Sequence, residues 1–465
     1  MQRFDVAIIG AGIAGYMAAY EIAKETKLSI ALIEQGNSIE NRKCPMILKK
    51  TKCLNCKECS IIKGFGGAGN FLDGKYNITT EFGGWLTDYI PDQDVLKLIN
   101  YVDSINVGFG ATTRTFSTTT SAAKEIKKNA LHYDIHLQQA NIKHFGIEKN
   151  FEFLKRMYKL LSSRAYNDKI SVLCNTKVNE IIIGDEYSLK LDNDSIINCK
   201  YLIAAPGRSG AEWLANECRK LDIPLINNQV DIGVRVELPA EVLEEITDSV
   251  YEAKLKYRTK KYGDIVRTFD MNPYGYVVTE NVDGLLTVNG HSYASDVLRS
   301  KNTNFAILIS SKFTEPFNNP NQYGKTVASL SNLLGNGVLV QRFGDLISGR
   351  RTTHHRLSQS FTKPTLETAE PGDLSLVLPK RHLDDIIEMI YALGKLVPGV
   401  ANDDTLLYGV EVKIYGSRLK LSNCLETRYK NFFAIGDGAG VTCGLSQAGA
   451  SGVLVAKEII NRVKE

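Results

Sequence analysis

The stretch that most restricts how this chain can fold is FDVAIIGAGIAGYMAAYEIAKETKLSIALIEQG, at positions 4–36. An apolar, β-rich run (Val6 to Ile9) enters a turn holding Gly10, Gly12 and Gly15. Small residues and a helical pattern come next, and a second apolar strand (Ser29 to Ile33) ends at Glu34. In a strand–turn–helix–strand unit of this kind each glycine has its own task. Gly10 makes the tight turn, Gly12 lets backbone N–H groups approach a diphosphate, and Gly15 lets the helix pack on the strand. The helix N-terminus adds positive potential at the same place, through Ile13 and Ala14. Glu34, nineteen positions after Gly15, suits the acid that accepts a ribose hydroxyl, with Gln35 beside it. An acid there argues against a ligand carrying a 2′-phosphate. A dinucleotide is the expected ligand.

The same run could be mistaken for a signal peptide or a membrane span. It contains Glu21 and spaced glycines, and no basic segment leads into it. A buried strand and helix are expected instead. Net charge is +4 with both signs interspersed, and 43% of the 465 residues are hydrophobic. This balance is that of an ordinary globular protein and makes no case for a nucleic-acid or membrane partner. The expected location is cytoplasmic, where nine cysteines do not form a disulfide framework. The length implies two or three domains, interleaved in sequence.

The carboxyl end discriminates between dinucleotides. NFFAIGDGAGVTCGLSQAGASGVLVAKEII reads as a strand (Phe432 to Ile435), a Gly-Asp-Gly turn and a helix rich in small residues. A flavin's ribityl chain needs an acceptor such as Asp437. The anionic edge of its reduced ring gains from a helix N-terminus such as the one opening near Gly444 and Leu445. Between these segments, KYLIAAPGRSGAEWLA is a strand running into Ala-Pro-Gly, with Pro206 and Gly207, and then a helix.

With these three segments the chain resembles the glutathione-reductase-like superfamily of FAD enzymes. The resemblance implies that ISVLCNTKVNEIIIGDEYSLKLD is the β-meander of that fold, with Val178 where a backbone group meets adenine. A narrower likeness is to an uncharacterised family of FAD-dependent dehydrogenases. It is carried by CxxCxxC before GFGGAGNFLDGKYN, by VDIGVRVELP (230–239) and NTNFAILISSKFTEPF (302–317), and by QRFGDLISGRR (341–351), TLLYGVEVK (405–413) and GDGAGVTCGLSQAGASG (436–452). One departure is Cys443, where the family pattern has an arginine. The resemblance implies that Gly10, Gly12, Gly15 and Glu34 hold the adenosine half. Gly66, Gly67, Ala68 and Gly69 would line the diphosphate or ring edge, and Gly436, Asp437, Gly438 and Ala439 would meet the ribityl region. The chain has no second strand–GxGxxG–helix unit, so a separate NADPH domain is not expected.

Cys44, Cys53, Cys56 and Cys59 have a C-x8-C-x2-C-x2-C spacing within sixteen positions. Two-residue spacers let sulfurs converge on one centre, so an iron–sulfur cluster or a structural zinc fits, and redox-active CxxC thiols fit as well. Metal-free burial as filler sits poorly with the lysines of this loop: Lys43, Lys49, Lys50, Lys52, Lys57 and Lys63. Cys174, Cys199, Cys218 and Cys424 read as buried structural residues.

The expected architecture is α/β. A three-layer FAD-binding domain is assembled from residues 1–219 and 400–465, and a mixed α/β substrate domain is inserted at 220–399. The expected function is that of an FAD-dependent oxidoreductase acting on a small molecule or with a redox-partner protein. An electron-transfer role shared with a cysteine-ligated cluster, and a non-catalytic or RNA-modification-associated role, are the alternatives. Candidate catalytic side chains are His291 (read as coming after an Asn-Gly turn), Arg235 within a strand, and Lys75. RHLDDIIEMIYALGKLVPG reads as a packing helix ending at Gly394.

Overall fold

The computed structural model describes the chain apart from residues 1, 46–55, 57, 72–73, 146, 164–165, 167, 251, 283, 294–295, 315 and 318. It divides into two compact units: Met1–Thr115 with Ala140–Asn228 and Tyr415–Glu465, and Phe116–Gln139 with Gln229–Ile414.

The first unit is built on a seven-stranded sheet. Gln2–Ile9 lies at its centre, parallel to Ile30–Ile33 on one side and Ile196–Ala204 on the other. Ile170–Leu173 extends the parallel part beyond Ile30–Ile33, and Phe432–Ala434 pairs with the carboxyl half of Ile196–Ala204. Val6 to Ile9 and Ile30 to Ile33 are buried at every position, as expected of parallel strands covered on both faces. Val178–Ile183 and Tyr187–Leu191 add antiparallel to the amino half of Ile196–Ala204. Tyr187, Leu189 and Leu191 alternate inward, the period of a half-covered strand. The meander therefore starts at Val178, and Ile170–Leu173, read from sequence as part of it, belongs to the parallel sheet. Helix Ile13–Glu25 and the carboxyl-terminal helix Leu445–Lys464 pack closely through small residues. A Cβ on Gly452 would lie 2.2 Å from the Ala14 carbonyl oxygen.

The second unit carries an eight-stranded, largely antiparallel sheet. Its central strands are Leu406–Ile414, Val230–Pro239, Asn302–Ser311 and Ile265–Asn272. The boundaries differ from those read in the sequence. Leu406–Ile414 pairs with Val230–Pro239 from Leu406 to Ile414, so the chain stays in this sheet until 414 rather than leaving it at 400. Ile135–Leu137 adds an edge strand to Leu255–Tyr257, which brings residues 116–139 into this unit. Non-local pairing of this kind leaves no local signal.

Helix Lys380–Leu396 packs Leu383, Ile386, Met389, Ile390 and Leu393 into the second core. It runs past Gly394, a residue used for close approach rather than termination, since a Cβ there would lie 2.8 Å from that of Ala401. Asp385 is carried inside with this face, and burial raises its carboxyl to about 6. The neighbouring Asp264 is drawn down by Arg381. A carboxyl whose pKa is raised from the unfolded ~3.9 holds a proton in the folded protein that the unfolded chain has released. Its stabilising effect is complete below the unfolded pKa and lost as pH rises through about 6. Asp385→Asn is expected to flatten the fall in Tm between roughly pH 4 and pH 7 and to raise Tm above that range. Parallel melting curves of the two proteins across that range would check it, and identical pH profiles would contradict it.

Candidate functional site

Three turns meet at one end of the first unit's sheet. They come directly after Gln2–Ile9, Ile196–Ala204 and Phe432–Ala434, strands that are hydrogen-bonded neighbours in parallel register. Ligands of open α/β sheets bind at the carboxyl ends of the strands. Gly10 adopts φ +102°, and a Cβ there would lie 2.1 Å from the Ala205 carbonyl oxygen. A Cβ on Gly438 would lie 2.5 Å from the Gly207 carbonyl oxygen and 2.9 Å from Pro206, and one on Gly436 would lie 3.2 Å from Ala14. The amino-terminal glycines, Pro206–Gly207 and Gly436–Ala439 thus share one corner.

Two helices begin at that corner. Helix Ile13–Glu25 is capped by Gly12 and helix Leu445–Lys464 by Gly444, neither with a side-chain acceptor or an acid in the first turn. Their leading N–H groups and dipoles are therefore available to an anion. Gly12 has an ordinary backbone (φ −70°), and a Cβ there would meet nothing nearer than Gly67 Cα at 3.9 Å. This is an open position at the start of helix Ile13–Glu25. Ser446, in the first turn of the carboxyl-terminal helix, is 5% exposed, and its Oγ has no hydrogen-bond partner among the described residues.

Asp437 accepts from Thr442 Oγ1 at 2.7 Å, and its Oδ2 lies 3.6 Å from Arg208 Nε. Burial pushes its carboxyl up, against the opposing pull of Arg208 and Thr442. A half-buried acid beside one exposed cation is suited to accept from a polyol.

Glu34 is buried and does more than end a strand. Its Oε2 accepts from Ala11 N (3.0 Å), and its Oε1 from Gly36 N (2.9 Å) and Gly64 N (3.0 Å). It therefore ties the first glycine turn to the segment just after the cysteine loop. Phe65 N donates to Asn37 O, Gly66 N donates to Ala11 O, and Gly66 bridges to Gly12. Gly67–Phe71 then forms a short helix, and a Cβ on Gly69 would lie 3.0 Å from Leu445. Thr176 N donates to Glu34 O at 2.9 Å, which places the segment leading to the buried Val178 at the same edge. Gln35 Nε2 lies 3.5 Å from Ser209 Oγ.

Sequence reasoning missed Arg42. Its side chain is 3% exposed and donates to five backbone carbonyls: Ser60, Ile61, Gly64, Phe65 and Gly67. Burial lowers the guanidinium to about 10, with Glu34 and Cys59 pulling it back up. A lone arginine amid lysines has no period or motif to announce it.

Of the four clustered cysteines, Cys53 lies outside the described residues. Cys44 and Cys59 are half-buried, Cys56 is exposed, and all three are free thiols. Among the described residues no group of three or more His, Cys, Asp or Glu is placed to hold a metal ion. Cys199 and Cys218 are buried as expected, but Cys174 and Cys424 are half-buried. Burial raises the thiols of Cys174, Cys199 and Cys218 to about 12, which makes them poor nucleophiles at neutral pH.

The candidate catalytic side chains are divided between the two units. Lys75 stands opposite His144 on a short strand of the first unit. In the second unit His291 closes strand Leu285–His291, with its ring edge-on to Tyr293 at 4.8 Å. No Asn-Gly turn precedes it. Asn289 and Gly290 are strand residues, and Gly290 is pressed against Asn304, Asn272 and Arg235, a reason for glycine that has nothing to do with turning. Arg235 is wholly buried. It donates to Glu411 through Nε and Nη2 (both 2.7 Å) and further to Asp270, Asn289 and Asn304. In this arrangement it has no exposed face for a substrate.

Among the described residues no helix is long and apolar enough to cross a membrane. Residues 229–414, the continuous part of the second unit, match the family described as "FAD-dependent protein, C-terminal domain-like". Residues 4–59 match "Pyridine nucleotide-disulphide oxidoreductase". No curated protein matches the chain. Solved structures similar to it include glycine oxidase from Geobacillus kaustophilus (12% identity, 99% of this chain and 95% of that one, TM-score 0.41). L-proline dehydrogenase from P. horikoshii is another (12% identity, 98% and 93%, TM-score 0.43). A salicylate hydroxylase substrate complex is a third (12% identity, 100% and 81%, TM-score 0.41).

Proposed function

We propose that this chain, an FAD-dependent oxidoreductase, holds its dinucleotide across the three turns, with the adenosine at Glu34 and the ring side at Asp437. The observation that carries this reading is the convergence of Gly10–Gly15, Pro206–Gly207 and Gly436–Ala439 on neighbouring strand ends. Two helix N-termini without a side-chain cap open at the same corner.

FAD supplies hydride or single-electron transfer at its ring. The residues present fit it. Glu34 Oε2 keeps an acceptor position beyond its bond to Ala11 N, enough for a ribose hydroxyl. The N–H groups opening helix Ile13–Glu25 would hold the diphosphate, and the absence of a side chain at Gly12 leaves space for its approach. Asp437 would accept from the ribityl hydroxyls. The start of helix Leu445–Lys464 and Ser446 Oγ, which has no hydrogen-bond partner among the described residues, would favour negative charge at the ring's edge.

The electron partner on this reading is a small molecule or a redox-partner protein in the cytoplasm. The free cysteines are in keeping with a reducing compartment. A metal role for Cys44, Cys53, Cys56 and Cys59, as zinc or iron–sulfur, rests on their spacing alone. It calls for metal analysis of oxygen-protected protein beside Cys56→Ser.

The test of function is anaerobic reduction. The purified protein is expected to carry FAD that is bleached at catalytic rates by a nicotinamide or by a protein donor. FAD that every donor reduces only slowly would favour the non-catalytic role instead.

A further inference from the structure

We infer that Arg42 is a positioning residue that couples the cysteine turn to the dinucleotide loop, so that covalent occupation of Cys59 and binding of FAD weaken one another. The inference rests on the FAD reading above. Residues 59–63 form one tight turn, in which the Cys59 carbonyl accepts from both Ile62 N (3.1 Å) and Lys63 N (2.9 Å). Arg42 grips this turn on one side, with Nε donating to Ser60 O and Nη2 to Ile61 O, each at 2.9 Å. With Nη1 it grips the dinucleotide loop on the other, at Phe65 O and Gly67 O (both 2.9 Å) and Gly64 O (3.3 Å). The stem is fitted as closely as the head, since a Cβ on Gly64 would lie 2.6 Å from Arg42 Cδ.

The guanidinium is planar and its donors are fixed in one fork. The turn and the loop therefore cannot move independently while both are held. Displacing the turn either drags the fork away from Gly64–Gly67 or leaves buried carbonyls without a donor, and both cost free energy. The loop it steadies is the one stitched to the first glycine turn through Glu34, Ala11 and Gly12. Because Arg42 holds Ser60 O and Ile61 O, a bulky adduct on the half-buried Cys59 that displaces the turn displaces the fork with it. Coupling between two binding events is reciprocal, so FAD must shield Cys59 to the same degree that the adduct weakens FAD.

The experiment treats apo-protein with N-ethylmaleimide, maps each adduct by mass spectrometry and titrates the product with FAD. In parallel, the alkylation rate of each cysteine is tracked with and without FAD. Alkylation at Cys59 is expected to weaken FAD binding about tenfold. FAD should slow alkylation of Cys59 by a similar factor and leave Cys424 unchanged. Cys59→Ser should abolish the effect of alkylation on FAD. Arg42→Lys, which keeps the charge but not the fork, should reduce both cross-effects to within about twofold while still binding FAD. Should Arg42→Lys fail to fold, the reciprocal pair in wild type and the Cys59→Ser control decide the matter alone. FAD binding with no cross-effect in wild type, or a full cross-effect surviving in folded Arg42→Lys, overturns the coupling and leaves the FAD reading standing. Failure of untreated protein to bind FAD overturns both.

Discussion

Gly12→Ala is expected to fold like the wild type and to lose FAD affinity by at least about 100-fold, or roughly 2.7 kcal/mol. The two halves of this expectation come from different facts. Gly12 has an ordinary extended backbone, and a methyl group there meets only Gly67 Cα at 3.9 Å, so the polypeptide has no reason to object. That methyl would project where the leading N–H groups of helix Ile13–Glu25 have to meet a diphosphate, and backbone approach is what a glycine at this position allows. Gly10→Ala makes the contrast. There the residue needs φ +102°, and its Cβ would lie 2.1 Å from the Ala205 carbonyl oxygen, so the apo-protein itself should lose stability. Thermal melts of the two apo-variants, set beside their FAD titrations, separate a damaged site from a damaged fold. Wild-type affinity in Gly12→Ala would mean that the diphosphate lies elsewhere.

Arg235→Met is expected to destabilise the protein by about 3 kcal/mol, the lower end of the cost of breaking a buried ion pair. Removing the guanidinium strands Glu411, which is fully buried and takes two of its hydrogen bonds, and leaves Asp270 and Asn304 short of donors. Lys413, 3.0 Å from Glu411, offsets part of the loss. Replacing the partner as well, in Arg235→Met with Glu411→Leu, should recover a good part of the stability, because an apolar pair of similar volume leaves no orphaned charge. Urea unfolding of the three proteins measures this. A single variant with wild-type stability and abolished turnover would instead make Arg235 a substrate contact.

The contrast between these glycine and arginine sites shows what could be read from the chain and what could not. Gly10, Gly12, Gly15 and Glu34 are legible because one short unit supplies strand, turn, helix and strand in order, and a local grammar needs no partner to interpret it. The turn at Asp437 is weak by itself and gains meaning only beside that unit. Arg235 and Arg42 carry no such context. Each is defined by partners far along the chain or by carbonyls that any sequence would offer. Asn289–Gly290 misleads for the same reason, as a dipeptide that ordinarily turns is held straight by strand pairing with Val278 and Val277. The boundary at 414 and the transfer of residues 116–139 to the second unit depend on sheet pairing between distant segments, which composition does not record. In sequence Glu34 reads as serving one partner, a ribose, and in the fold it also secures three N–H groups of its own chain.

The most direct test of the account is a fluorescence titration of apo-protein with FAD, repeated with FMN. If the first glycine turn holds the adenylate half and the Asp437 corner holds the ring side, FAD should bind with one-to-one saturation. FMN, which lacks the adenylate that Glu34 and Gly12 serve, should bind far more weakly. Indifference to FAD, or equal affinity for the two flavins, would contradict it.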